Sequence, residues 1–73
     1  MKGPKLNEKP QINMRGLREK KGWTKVRTAE ELGFSISYYS EVENGKHGIS
    51  IKMMHAIMNV FKVEYEDFYR HYE

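Results

Sequence analysis

Apolar and polar residues recur along most of this chain with the period of an α-helix. In the stretch 51–61, the apolar residues are spaced so that they share one helical face: Ile51, Met54, Ile57, Met58 and Phe61. Ser50 precedes them and is a favourable N-cap. We expect this face to lie in the core, where methionine commonly fills gaps. His55, on the same helix, is expected to be half-buried.

The same patterning predicts an all-α chain of five helices, near 12–21, 25–32, 36–43, 51–61 and 65–71. Helix 12–21 has Asn13 as its candidate cap and ends before Gly22. Trp23 and Thr24 precede the second helix as a hydrophobic residue and a capping hydroxyl.

Only three residues separate the second and third helices. Gly33 suits the left-handed conformation that ends a helix, and Ser35 is again an N-cap type. A connection this short makes the helices cross steeply, and Ala29 is small enough to permit close approach. The expected apolar contacts come from Leu32, Phe34, Tyr39 and Val42. This is a helix-turn-helix, whose second helix can enter a DNA major groove.

We therefore expect helix 35–43 to be the recognition helix. Its outward side chains offer hydroxyls for phosphates or bases, an isoleucine for a thymine methyl, and a carboxylate for the cytosine N4 amino group. Asn44 and Lys46 follow in a glycine-containing loop suited to a phosphate backbone. The predicted DNA-binding residues are Thr24, Lys25, Ser35, Ile36, Ser37, Tyr38, Ser40, Glu41, Asn44 and Lys46.

The sequence resembles the Cro/CI-type, lambda-repressor-like domains of the XRE family over residues 13–69. The resemblance is carried by Leu17-Arg18, the Ala29 to Gly33 spacing, Ser40 with Glu43-Asn44-Gly45, and Phe61-Lys62-Val63. It implies a compact five-helix domain that binds DNA, generally as a two-fold pair. It also implies a structural salt bridge between Arg18 and Glu43.

Four positions depart from the family pattern, and one of them is His55, which stands where an aliphatic residue is usual. Lys25 stands where glutamine is common, and can still meet a phosphate as a point charge. Thr28 stands where leucine is usual, so its hydroxyl either bonds a carbonyl one turn back or leaves a thinner core that Trp23 can fill. Trp23 is interpreted as core, with base stacking as the alternative. Lys62 replaces a glycine, so either it is left-handed or the turn differs.

Charge is unevenly distributed along the chain. Residues 1–27 hold nine Lys/Arg against two Glu, a net +7, whereas residues 28–73 hold four against eight acids, a net −4. A basic first half favours a polyanionic partner, because neutralised phosphates release counterions. The composition of residues 1–11 predicts a flexible basic arm, which either lies along DNA or plays no part in binding. Residues 12–73 are expected to form the folded domain.

Other classes of function lack their characteristic residues. There is no cysteine, the three histidines lack zinc-like spacing, and we expect no metal or cofactor. No apolar run is long enough to span a membrane and no signal peptide is recognisable, so the expected location is the cytoplasm. No Gly-rich phosphate loop, thiol nucleophile or pair of acids flanking a cleft indicates an enzyme.

Two functions remain open. The first is a sequence-specific transcription regulator of repressor type that binds double-stranded DNA as a weak homodimer. Its predicted dimer contacts are Lys62, Tyr65, Tyr69 and Tyr72. The alternative is a protein-interaction module of the same fold, antitoxin- or anti-repressor-like, that binds a protein partner. It is favoured by a recognition helix without arginine, glutamine or asparagine.

Overall fold

A computed structural model describes residues 10–69, and these form an all-helical domain without β-strands. Four α-helices follow one another along the chain: α1 (Met14–Lys21), α2 (Lys25–Leu32), α3 (Ile36–Glu43) and α4 (Ile51–Phe61). A 3₁₀ helix, Tyr65–Phe68, completes the described part. The predicted bounds of α2, α3 and α4 are confirmed. α1 begins two residues later than predicted, at Met14, after the Asn13 cap.

Each α-helix begins at a side-chain cap. The side-chain oxygens of Asn13, Thr24, Ser35 and Ser50 each accept a hydrogen bond from the backbone N–H three residues later. The first two helices end at Gly22 and Gly33, which have φ of 72° and 84° and satisfy the left-handed C-terminal turn. Local capping therefore fixes where the four α-helices begin and where the first two end.

The predicted fifth helix, 65–71, is not confirmed as an α-helix, because its described part makes only a short 3₁₀ helix. Phe68 is fully buried there, and its carbonyl accepts a hydrogen bond from Gln11 N at 3.0 Å. That carbonyl thus ties the described end of the chain to the residues ahead of α1. Residues 1–9 of the predicted arm, and 70–71 of the predicted helix, lie outside the described residues.

The core forms where α2 meets α3 and α4. Its buried apolar members come from every helix: Met14, Ala29, Leu32, Tyr39, Val42, Met53, Met54, Ile57 and Phe68. Ala29 is 2% exposed, as a close crossing requires. Phe34 is partly buried against this core.

The inward face of α4 is rotated relative to the prediction. Ile51 is 68% exposed, whereas Met53 is fully buried. Ile51 is the first residue of α4, and side chains in a helix tilt towards its N-terminus, so Ile51 points beyond the core. His55 is exposed and not half-buried.

The structure answers the two questions that the sequence left open at Thr28 and Lys62. Thr28 is fully buried and its hydroxyl donates to the Thr24 carbonyl at 2.8 Å, so the polar atom is satisfied one turn back. Lys62 ends α4 in the left-handed conformation, with φ 57° and ψ 40°. It is the only non-glycine residue with positive φ between residues 10 and 69.

Candidate nucleic-acid interface

The N-termini of α2 and α3 both carry an exposed capping hydroxyl. Thr24 Oγ1 accepts from Arg27 N at 3.0 Å, and Ser35 Oγ accepts from Tyr38 N at 3.1 Å. Because each oxygen acts as an acceptor, its own O–H stays available to donate outwards. A helix N-terminus also carries partial positive charge. Both caps can therefore bind an anion.

A single carboxylate, that of Glu43, joins the first three helices. Arg18 Nε on α1 donates to Glu43 Oε2 at 2.8 Å, and Tyr39 OH on α3 donates to the same oxygen at 3.0 Å. Lys25 Nζ on α2 lies 3.5 Å from Glu43 Oε1. The Glu43 side chain is only 4% exposed. The contact that the family resemblance implied for Arg18 and Glu43 is therefore present, and two further residues share it.

This cluster shifts the pKa values of its members. Burial alone would raise the pKa of Glu43, but the hydrogen bonds from Arg18 and Tyr39 outweigh it and lower that pKa below its ordinary value. The hydrogen bond to Glu43 raises the pKa of Arg18 against the opposing effect of burial. Burial, followed by the Glu43 contact, raises the pKa of Tyr39. At neutral pH the cluster thus holds a carboxylate, a guanidinium and a neutral phenol.

Arg18 has a second anchor outside this cluster. Its Nη1 donates to the Trp23 carbonyl at 3.0 Å, which holds the segment that leads into α2. Trp23 itself is half-buried, with its ring centroid 5.6 Å from that of Phe61. Arg27 Cζ and Lys21 Nζ lie 4.6 Å and 5.2 Å from the Trp23 centroid. The indole is therefore neither fully in the core nor an open stacking platform.

Lys25 is in a different setting from the one predicted. Its side chain is 41% exposed while its ammonium contacts Glu43. Lys25 thus lies at the start of α2 with its ammonium turned towards Glu43. The four-carbon stem of lysine is flexible, so this ammonium can also turn towards a phosphate.

The outward side of α3 is mixed in exposure. Tyr39 and Val42 are buried as predicted, and Ser35, Ile36 and Ser37 are exposed, with Ile36 at 43%. The other three predicted contact residues are only half-buried: Tyr38, Ser40 and Glu41. The N-terminal turn of α3 is therefore the part most open to a partner.

The loop after α3 folds back on that helix. Gly45 has φ 83°, and Lys46 N donates to the Glu41 carbonyl at 2.8 Å. This leaves Asn44 and Lys46 exposed, as their predicted phosphate role requires.

His47 contacts two of the predicted DNA-binding residues, which the sequence patterns do not predict. Its Nε2 lies 2.9 Å from Glu41 Oε1, and its ring lies 5.8 Å from that of Tyr38, which in turn lies 5.3 Å from Phe34. The six-residue separation from Glu41 matches no helical spacing. The available signal was Gly45, because a left-handed glycine after a helix returns the chain towards the preceding turn.

The predicted dimer residues lie near the C-terminal end. Lys62 and Tyr65 are exposed, Tyr65 by 50%, and Tyr69 is half-buried with its ring 5.2 Å from that of Tyr65. We call Lys62, Tyr65 and Tyr69 the C-terminal aromatic patch. Tyr72 lies outside the described residues.

The described residues offer neither a metal site nor a membrane-spanning helix. Within residues 10–69 no group of histidine and acidic side chains is arranged to hold a metal ion. No helix in the same part of the chain has the length and apolar character needed to cross a membrane.

Comparison with known proteins gives one match. The helix-turn-helix family model covers residues 14–68, which includes all four α-helices and the 3₁₀ helix. No curated protein and no solved structure matches the chain significantly. The family consists of DNA-binding regulatory domains. With its capped α2, three-residue turn and α3, the chain belongs to the XRE (Cro/CI-like) helix-turn-helix family.

Proposed function

We propose that this protein is a cytoplasmic, sequence-specific transcription regulator of repressor type that inserts α3 into the DNA major groove. The observation that carries the proposal is the exposed first turn of α3, with Ser35, Ile36 and Ser37 open to solvent. The opposite side of α3 is anchored through Tyr39 and Glu43. A recognition helix needs both an open reading face and a rigid support.

Phosphate contacts would set the register of the protein on DNA. Thr24 and Ser35 offer hydroxyl donors at helix N-termini, while Lys25, Asn44 and Lys46 add charge and an amide. Phosphate contacts of this kind position a protein without reading sequence. The net +7 of residues 1–27 adds long-range attraction to the duplex.

Base contacts would come from α3. Ile36 can pack on a thymine methyl, Ser37 can hydrogen bond to either base of a pair, and Glu41 can accept from cytosine N4. Ser40 and Tyr38 are half-buried, so their contribution is at the edge of the contact. The proposal therefore rests on a short reading face made of the exposed start of α3 and of Glu41 on its last turn.

The test is a selection of bound sequences from random duplex DNA, followed by fluorescence anisotropy on the selected site over a range of salt. We expect an enriched motif and an affinity that falls steeply as salt rises. Lys46→Ala or Lys25→Ala should weaken binding to all sequences alike and reduce the salt slope by about one unit each. Ser37→Ala or Ile36→Ala should change which bases are preferred.

Lys20→Ala supplies a control of equal charge, since Lys20 is an exposed lysine on α1 outside the proposed contact. It should alter the salt slope less than Lys46→Ala does. Failure to enrich any motif, together with binding that is indifferent to salt, would reject the proposal.

A second candidate is a protein-interaction module. It is favoured by the large apolar side chains that stay exposed, Val26 and Tyr65 among them, and by the acidic Glu41 on the reading face. A stable complex with another protein that is abolished by Tyr65→Ala, in a chain that enriches no DNA motif, would favour this alternative.

A further inference from the structure

We propose that His47 is a positioning residue for DNA recognition, which fixes the Glu41 carboxylate for base contact and makes DNA binding depend on pH. The inference rests on the proposed function. It assigns a role to a residue in the loop after α3, and it concerns the one acidic side chain on the reading face of α3.

Four contacts fix the geometry of this loop on α3. The Glu41 carbonyl accepts from Lys46 N at 2.8 Å and from His47 N at 3.4 Å. His47 Nε2 then reaches Glu41 Oε1 at 2.9 Å, and the imidazole lies against the Tyr38 ring. Backbone and side chain of the same glutamate are therefore both held by the same loop.

The contact leaves Glu41 partly available to a base. His47 uses Oε1, so Oε2 can still accept from a cytosine amino group. A free glutamate loses considerable rotamer freedom when it binds. Because His47 restricts Glu41 before DNA arrives, less of that freedom remains to be lost at the base.

Charge gives the pair its pH dependence. An unpaired Glu41 carboxylate near the DNA backbone is repelled by phosphate, whereas a Glu41–histidinium pair is neutral overall. The ionisable groups in contact with His47 are Glu41 and Tyr38 on α3, and Lys46 is its chain neighbour. The side chains of His47 and Glu41 are 54% and 45% exposed, so both can exchange protons with solvent in the free protein.

The sign follows from linkage between proton and DNA binding. Protonated His47 forms an ion pair with Glu41 and removes the repulsion between that carboxylate and phosphate, so DNA binding takes up a proton and affinity falls as pH rises. If DNA binding takes up a fraction of one proton, the affinity for DNA is expected to fall about three- to tenfold between pH 5.5 and 8.

Three histidine variants separate the two effects. His47→Gln places a neutral amide donor near the position of Nε2, so it should retain the base preference at the position read by Glu41 and lose the pH dependence. His47→Ala should lose both. His55→Gln changes an exposed histidine on α4 and should keep both.

The measurement is anisotropy titration of each variant on the selected duplex at pH 5.5, 6.5, 7.5 and 8, with single-base variants at the Glu41 position. Circular dichroism at each pH confirms that the variants are folded. Glu41→Gln should change the preferred base and reduce the pH effect.

A His47→Gln variant with the pH profile of the unmodified protein would overturn the pH role, and an unchanged base preference in His47→Ala would overturn the positioning role. Absence of any DNA binding by the unmodified protein is a different result, because it would reject the proposed function itself.

Discussion

Glu43 is the residue on which the site most depends, and the sequence predicted only part of its environment. The contact with Arg18 followed from the family resemblance. Tyr39, four residues before Glu43 on the same helix, also donates to this carboxylate. The hydrophobic pattern does not predict that bond, because it counts Tyr39 only as an apolar residue. For Lys25 the sequence predicts a phosphate contact alone, since a sequence pattern does not show that a lysine on α2 reaches the end of α3.

Charge reversal tests the structural role of this pair. Arg18→Glu or Glu43→Arg alone should lower the free energy of unfolding by about 3–5 kcal/mol, because each leaves a buried charge without its partner. The double reversal should recover only part of this, since Tyr39 and Lys25 also contact Glu43. Urea unfolding followed by circular dichroism gives the three values.

The exposed pair Arg15–Glu19 is the matched control. It has a similar Nε to Oε2 distance, 3.1 Å, but side chains that are 73% and 58% exposed. Reversal of either charge there should cost about 1 kcal/mol or less. Equal costs at the two pairs would contradict a structural role for Arg18 and Glu43.

Acid should destabilise the domain through the same carboxylate. The pKa of Glu43 is lower in the folded chain than the ordinary value of 4.5, so its stabilising effect is complete above that value and is lost as pH falls through the folded pKa. Carbon NMR of the Glu43 carboxyl should therefore give a titration midpoint below 4.5. A midpoint at or above it would mean that burial outweighs the hydrogen bonds.

At the scale of elements, capping was the strongest predictive signal. Hydroxyl and glycine positions placed α2, α3 and α4 correctly, because caps are local chemistry. The sequence did not predict which face of α4 is buried, or that the last described element is a 3₁₀ helix. Both depend on packing: the burial of Met53 in place of Ile51, and the Phe68 carbonyl that bonds Gln11.

Lys62 offers a test at this scale. A residue with a Cβ atom pays about 1–2 kcal/mol to adopt the left-handed conformation, and glycine does not. Glycine loses more backbone entropy on folding, which offsets part of that advantage. Lys62→Gly should therefore raise the free energy of unfolding by up to about 1 kcal/mol. Lys62→Ala removes the same charge and keeps the strain, so it should give no such gain in thermal or urea unfolding.

At the scale of the whole molecule, one recognition helix reads too few base pairs to single out a genomic site. We propose that two copies bind half-sites about 34 Å apart, one helical turn of DNA, and meet through the C-terminal aromatic patch. Tyr65 is half exposed there and can bury apolar area while its hydroxyl stays at the rim. Such a contact would be weak without DNA.

Sedimentation of the protein with a two-half-site duplex should give two copies per duplex at saturation. Tyr65→Ala should weaken binding of the second copy more than that of the first. Ile51→Ala, which removes another exposed apolar side chain, should leave this cooperativity unchanged. One copy per duplex at saturation would reject the dimer.

The bond between Gln11 N and the Phe68 carbonyl has a consequence for engineering. It places the points where the chain enters and leaves the described domain side by side. A short linker could therefore join the two ends, and new termini could be opened in the exposed residues 44–48 without moving a core side chain. A circular permutant of this kind would show whether the arrangement of the helices in space depends on their order along the chain.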